Sequence, residues 1–297
     1  MKNLAYVDRG GVLFVGIVVG AVLSLSFETE GKPLAALLAP DQPQAVASAS
    51  AVPVEAKPQA GGCGDDFPLS RQVLAGLRAN RPLRIGVLGD SFGDGIFAAT
   101  NGVFSRQDGF RVYQFSKEGT GLTRYQSLDV LKDVKAKFAE QPIDIAIIDF
   151  GANDTQGVRE GGHGAAYMTA RWKEVVGGRA SALVGYLHDQ GVAVAWVGLP
   201  RMRKADYDGD VQALNRFYAG LMCSLHVPFV DPVAASEDKD HHFAKELIDP
   251  ETKAPYVARA DDGVHMSVHG YREIAKPVLT RIALLGGSGQ AVGAKEN

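Results

Sequence analysis

Cysteine is nearly absent from this chain: 297 residues hold two, Cys63 and Cys223. Two thiols can build neither a zinc ribbon nor a disulfide-dense scaffold. A basic excess is absent too, since 31 Lys and Arg stand against 34 Asp and Glu for a net charge of −3. Without a positive field to draw phosphates, nucleic acid is excluded as the main partner. No internal repeat is visible. What is present is a composition of 46% hydrophobic and 22% charged residues, enough for one sizeable core with appendages.

The first appendage is the uncharged run Gly10 to Phe27, GGVLFVGIVVGAVLSLSF, with Lys2 and Arg9 before it and Glu28 and Glu30 after it. As a helix it would span roughly 27 Å, close to the thickness of a bilayer's hydrocarbon. The flanking charge keeps the N-terminus in the cytoplasm and places the rest outside. The run therefore reads as an uncleaved anchor in the inner membrane, with a cleaved signal peptide as the second reading. It carries Gly10, Gly11, Gly16 and Gly20, which argues against a buried core helix. From Gly31 to Gly62 the chain is rich in Ala, Pro, Ser and Gln and lacks aromatics, the composition of a disordered tether. Cys63 ends the tether. Either it pairs with Cys223 in an oxidising compartment or both are free thiols. The expected organisation is an anchor over 1–30, a linker over 31–64, a folded domain over 65–286 and a disordered tail over 287–297.

Within the domain, strand-like and helix-like patterns alternate. Leu83–Leu88, Phe110–Phe115, Ile143–Phe150, Val192–Gly198 and Val227–Val230 are short apolar runs. Helical patterns occupy the stretch PLSRQVLAGLRAN and then Arg124–Glu140, Ala165–Gln190, Val211–Ser224 and Val268–Leu285. Continuous apolar strands separated by helices mean a parallel sheet covered on both faces. The fold class is thus α/β, a flavodoxin-like doubly wound sheet of about five parallel strands.

Ligands of such sheets sit at the carboxyl ends of the strands, and the chain places its distinctive residues there. The first strand runs into GDSFGDG, a Gly-flanked turn that exposes Ser91 and aims its N–H outward, with Gly89, Gly93 and Gly95 leaving the turn free. After the second comes SKEGTGL, in which Gly119 and Gly121 let a backbone N–H face a cleft. The third is followed by FGANDT, which carries the amide of Asn153. Near the C-terminus stands DDGVHMS, where Asp262 lies three residues before His265 and Ser267 is placed to cap the last helix. One loop can then hold the imidazole in the tautomer whose Nε2 accepts a proton.

In this order the four blocks resemble the SGNH (GDSL-type) hydrolases, and their wording a periplasmic, membrane-tethered branch of them. The likeness covers roughly Leu83 to Leu285. It implies Ser91 as nucleophile, His265 as base and Asp262 as the acidic member of the triad. The same likeness implies an oxyanion hole made by Ser91, Gly119 and Asn153, with no cofactor and no metal. GDSF stands where GDSL is commoner, and the polar segment Ala234–Arg259 is long enough for an inserted lid.

The function expected is an extracytoplasmic, periplasmic serine esterase acting on short acyl esters, acetyl above all, of a glycan or small molecule, by hydrolysis or acyl transfer. A lysophospholipase or thioesterase acting on lipids, and a silent protein that binds acylated glycans, are the alternatives. Asp90 and Asp94 read as turn and cap residues and Asp154 as a tie to the neighbouring loop. The histidines of SEDKDHHF read as solvated rather than metal-binding, and His265 with His269 lacks the glutamate of a zinc protease motif.

Overall fold

The structure is a computed structural model that describes residues 69–105 and 109–293, with side chains as far as 286. The apolar run, the tether, Cys63 and the expected domain start near 65 lie outside the described residues. The element order is α1 (Arg71–Arg78), β1 (Leu83–Gly89), α2 (Ser91–Phe104), β2 (Phe110–Gln114), α3 (Val130–Glu140), β3 (Ile145–Asp149), β4 (Val158–Glu160) and β5 (His163–Ala165). It continues with α4 (Ala170–Asp189), β6 (Ala193–Val197), α5 (Ala205–Ser224), β7 (Phe229–Val230), β8 (Glu246–Ile248), β9 (Pro255–Val257) and α6 (Val268–Gly293).

Five strands form one parallel sheet in the order β2-β1-β3-β6-β7. This is the doubly wound sheet expected, with each expected strand in place. Every residue of β3 and β6 is buried, because helices cover both faces and an all-parallel sheet has no wet side. α1 and α2 pack with α6, while α3 packs with α4 and α4 with α5. The order of strand addition reverses between β1 and β3, the switch point at which such sheets open a crevice. At the opposite edge, buried Asp144 takes bidentate hydrogen bonds from Arg81 (2.6 and 2.8 Å) and is paired with Arg84, so a structural ion cluster closes the floor of the sheet.

Helix boundaries differ from the expected ones, at α3 and α4 because side-chain caps decide them. α3 starts at Val130 rather than Arg124, because Asp129 accepts the N–H of Lys132. α4 starts after Thr169, which caps Trp172, five residues later than Ala165. α5 begins at Ala205, six residues before Val211, behind Lys204, which makes no side-chain cap. α6 runs to Gly293, so residues 287–293 of the expected tail are helical. Among the described residues no helix is long and apolar enough to cross a membrane. Cys223, at the end of α5, is disulfide-bonded, and the only other cysteine of the chain is Cys63.

The segment 234–259 folds into the antiparallel pair β8–β9 and is fastened to α6. Lys276 pairs with Glu251 at 2.8 Å, and His269 reaches Asp249 at 2.9 Å while its ring stacks on Tyr256. These ties run alongside the last helix.

Candidate active site

β1 ends at Gly89, whose φ of +156° and whose place only 2.2 Å (for an added Cβ) from the carbonyl oxygen of Asp149 admit no side chain. Gly93 and Gly95 serve packing instead of backbone freedom. Both lie inside α2, and a Cβ on Gly95 would stand 2.2 Å from the ring of Tyr271. That close approach of α2 to α6 brings the serine turn against the segment that carries the histidine.

Ser91 is the first residue of α2, directly after the cap residue Asp90. Its Oγ lies 2.8 Å from Nε2 of His265, whose Nδ1 lies 2.6 Å from Oδ2 of Asp262. The other carboxylate oxygen of Asp262 accepts the backbone N–H groups of Val264 and His265 at 2.8 and 2.9 Å. Burial raises the Asp262 pKa, but the hydrogen bonds from the imidazole and from those N–H groups outweigh it and hold the acid at about 2. It is therefore a carboxylate at neutral pH, and Nδ1 carries the proton it binds. The imidazole is seated on Phe92 (centroids 5.4 Å apart, planes at 26°), and Phe92 meets Tyr271 edge-on. Beneath the loop, buried Arg259 donates from Nη2 to the carbonyl oxygens of Arg201 and Val264, and burial lowers its pKa to about 10. Ser267 caps α6 by accepting the N–H of Gly270 at 3.0 Å.

Gly119 has φ +71° and nothing within 4 Å of where a Cβ would stand, so the side-chain position of this residue is open space. Asn153 spends one amide hydrogen on the carbonyl oxygen of Thr120 at 2.8 Å, which fixes its rotamer and leaves the second without a partner among the described residues. Asp154 behaves as expected: its carboxylate accepts the N–H of Leu122 (3.0 Å) and the N–H and hydroxyl of Thr123 (2.7 Å each). Tyr207 adds a staple by donating to the carbonyl oxygen of Ala152 at 2.8 Å.

Asp90 does more than cap. One oxygen accepts the N–H of Phe92 at 2.9 Å and the other the N–H of Gly151 at 3.3 Å, while the N–H of Lys117 reaches the carbonyl oxygen of Gly89 at 3.0 Å. The loops after β1, β2 and β3, which carry Ser91, Gly119 and Asn153, are thus tied to one turn. The tie from Asp90 to Gly151 depends on tertiary contact, and no local pattern announces it. Asp94 is no cap; it accepts hydrogen bonds from Ser116 (2.5 Å) and Gln114 (2.8 Å) at the end of β2. Burial lifts the Asp90 pKa to about 7 against the pull of the Phe92 N–H. Asp149, fully buried with no hydrogen-bond partner on either oxygen among the described residues, is raised well above the usual carboxyl range by burial and then by Asp90. Both acids were invisible as such in the sequence, where Asp149 reads as the tail of a strand.

The two remaining candidates from the sequence separate. His241 and His242 lie exposed in the 234–259 segment, with His241 against Glu237 at 2.5 Å. His269 is turned to Asp249 and stays out of the chain of contacts that ends at Ser91.

Fold and site together define a doubly wound α/β protein with a serine, a histidine and an aspartate linked in series at the carboxyl edge of its sheet. The chain belongs to the family described as protein of unknown function (DUF459), whose model matches residues 84–281. No curated protein matches it. Among solved structures it is similar to the periplasmic domain of a lipopolysaccharide acetyltransferase from Salmonella ser. Paratyphi A, at 8% identity and TM-score 0.49 over 71% of this chain and 88% of that one. It is similar to a GDSL-like lipase from Bacteroides thetaiotaomicron, at 15% identity and TM-score 0.46 over 73% and 97%. A catalytic mutant of an acetylxylan esterase from Geobacillus stearothermophilus gives 15% identity and TM-score 0.44 over 67% and 94%. These likenesses concern the fold, and a functional reading has to rest on the chain's own residues.

Proposed function

We propose that this protein is a serine esterase or acyltransferase that works through an acyl-serine intermediate. The observation that carries the reading is the series Asp262–His265–Ser91, with contacts of 2.6 and 2.8 Å and the imidazole held in the required tautomer. Ser91 Oγ attacks the acyl carbon as His265 Nε2 takes its proton, and Asp262 stabilises the imidazolium. The N–H groups of Ser91 and Gly119 and the free amide hydrogen of Asn153 hold the oxyanion. Each such donor is worth about 3–4 kcal/mol of barrier. Collapse breaks the ester C–O bond, and the imidazolium returns its proton to the leaving alkoxide. A water or a sugar hydroxyl, deprotonated by the same imidazole, then takes the acyl group from Ser91. The Gly-rich, polar loops around the serine suit a short acyl group, acetyl above all, on a hydrophilic glycan alcohol.

The test is hydrolysis of p-nitrophenyl acetate by the full chain, with a serine-directed fluorophosphonate as a second readout. Wild type should turn over the ester and be labelled at Ser91, and Ser91→Ala should do neither. Turnover retained in Ser91→Ala would end the reading.

The domain works outside the cytoplasmic membrane in this proposal. Support comes from the charge-flanked apolar run at residues 10–27 and from the disulfide at Cys223, a bond at home in an oxidising compartment. A reporter fused after Asn297 that is active only in the cytoplasm would overturn it.

A further inference from the structure

A cleft of about 440 Å³ opens beside Gly119, one of the proposed oxyanion-hole residues. Its lining holds two arginines, Arg124 and Arg159, and neither a carboxylate nor an apolar side chain. In a chain of net charge −3 this is a local reversal of sign. Arg124 donates one hydrogen bond to the carbonyl oxygen of Gly119 at 2.9 Å, so its guanidinium is anchored at the mouth of the cleft with further donors to offer. Arg159 lies exposed on β4 and pairs with no carboxylate among the described residues. Its neighbour Glu160 points to the other face of the strand and is met there by Arg179 at 3.6 Å and Arg171 at 3.9 Å. The acid that could neutralise Arg159 is thereby turned away from it.

The rest of the lining is made for hydroxyl groups. Thr123, Gln126, Ser127 and Gln156 supply neutral donors and acceptors. Gln156 donates to the backbone carbonyl of Asn153 at 2.7 Å and to Thr123 Oγ at 3.2 Å, which makes the cleft continuous with the loop that carries Asn153. Apolar lining sits elsewhere, in the hollow under β8–β9 built by Leu247, Ile248 and Tyr256. A long acyl chain or a lipid tail finds nothing to cover it beside Gly119.

From this arrangement we infer that the cleft is the subsite for the alcohol part of the substrate and that this part is an anionic saccharide, bearing a carboxylate or a phosphate that Arg124 and Arg159 engage. Planar guanidinium groups match both anions in bidentate fashion, and the neutral side chains between them match ring hydroxyls. The inference rests on the esterase or acyltransferase reading for its meaning, but it is tested through binding, which needs no turnover.

Oligogalacturonide, a neutral xylo-oligosaccharide of the same length and the same neutral oligosaccharide carrying one phosphate are titrated against the full chain by calorimetry. At least one anionic ligand should bind tenfold or more tightly than the neutral one, and which of the two does so names the anion. That advantage should shrink as salt rises from 20 to 500 mM. Arg159→Gln should remove most of it and Arg159→Glu all of it, with neutral binding changed less than twofold. Arg159 is exposed on a short strand, and unchanged melting of both variants checks that the fold is intact. Equal affinity for charged and neutral ligands, failure of both anionic ligands to bind, or equal losses for all ligands on Arg159→Gln would overturn the inference. Turnover of p-nitrophenyl acetate, measured on the same samples, reports separately on Ser91.

Discussion

Around the start of α6 stand two aspartate–histidine pairs whose histidines, His265 and His269, are four residues apart, and only one of the pairs is joined to a nucleophile. In Asp262–His265 the carboxylate takes Nδ1 at 2.6 Å and leaves Nε2 to face Ser91 at 2.8 Å. In Asp249–His269 the carboxylate takes Nε2 itself at 2.9 Å, Glu273 stands 3.9 Å from the same nitrogen, and the ring lies against Tyr256. Both aspartates are held at about 2, Asp262 chiefly by its histidine and Asp249 chiefly by the N–H groups of Thr252 and Glu251. A depressed acid beside an imidazole is therefore not what marks the site. What marks it is the nitrogen left over and what that nitrogen faces.

The strongest way to break the comparison is to remove each histidine in turn. His265→Ala should lower ester hydrolysis by at least about 10³-fold, as Ser91→Ala does, because residues that act as one unit fail together. His269→Gln should leave kcat/KM within about threefold of wild type, under 1 kcal/mol of barrier. Equal losses in the two variants, measured on p-nitrophenyl acetate, would erase the distinction drawn from Nε2.

That distinction was half legible beforehand. GDS, GAND and DGVH announce Ser91, Asn153 and His265 because short motifs at the ends of apolar runs need only local geometry, and an aspartate three residues before a histidine can reach it on one loop. β1, β3 and β6 are legible for a related reason: strands buried on both faces are apolar, here but for Arg84 in β1 and Asp149 at the end of β3, and leave no alternation to misread. The pairs β4–β5 and β8–β9 are not legible, since strands of three residues such as VRE and ELI carry no period to count. Their partners come from tertiary contact. The same holds for Arg159, which reads as a loop residue until β4 orients it, and for buried Arg259 in an otherwise polar segment. α5 begins earlier than its pattern, and Asp208 in its first turn accepts the Met202 N–H at 2.8 Å, a tie that the apolar spacing does not announce.

A second contrast lies between these depressed acids and the raised ones beneath the serine turn. Asp90, Asp149 and Asp154 are all raised, in each case by burial first. A carboxyl whose pKa is higher folded than unfolded keeps its proton in the native state while the unfolded chain has lost it. Stability then falls as pH rises above about 4, by up to about 1.4 kcal/mol per pH unit for each such group. For Asp90 that loss levels off near pH 7. Asp149→Asn removes one group that has no hydrogen-bond partner to lose among the described residues. Urea unfolding from pH 4 to pH 8 should show the variant gaining on wild type as pH rises. Parallel curves would mean that Asp149 is not protonated in the native state.

The smallest effect is expected at Asp249, and its sign is opposite. A carboxyl held below its unfolded value contributes stability that is complete above about pH 4 and disappears as pH falls through the folded pKa, here about 2. The N–H groups of Thr252 and Glu251, at 2.8 and 2.9 Å, and the imidazole of His269 are what the charge satisfies, so the contribution belongs to the turn between β8 and β9 and to its fastening on α6. Asp249→Asn keeps an acceptor for the N–H groups but loses the charge. Its melting temperature should lie slightly below wild type at pH 7 and converge with it as pH approaches 2, with ester hydrolysis unchanged throughout. A deficit that persists undiminished at pH 2 would assign the loss to packing. A fall in activity parallel to that of His265→Ala would instead make the second pair part of the site and undo the contrast between the two nitrogens.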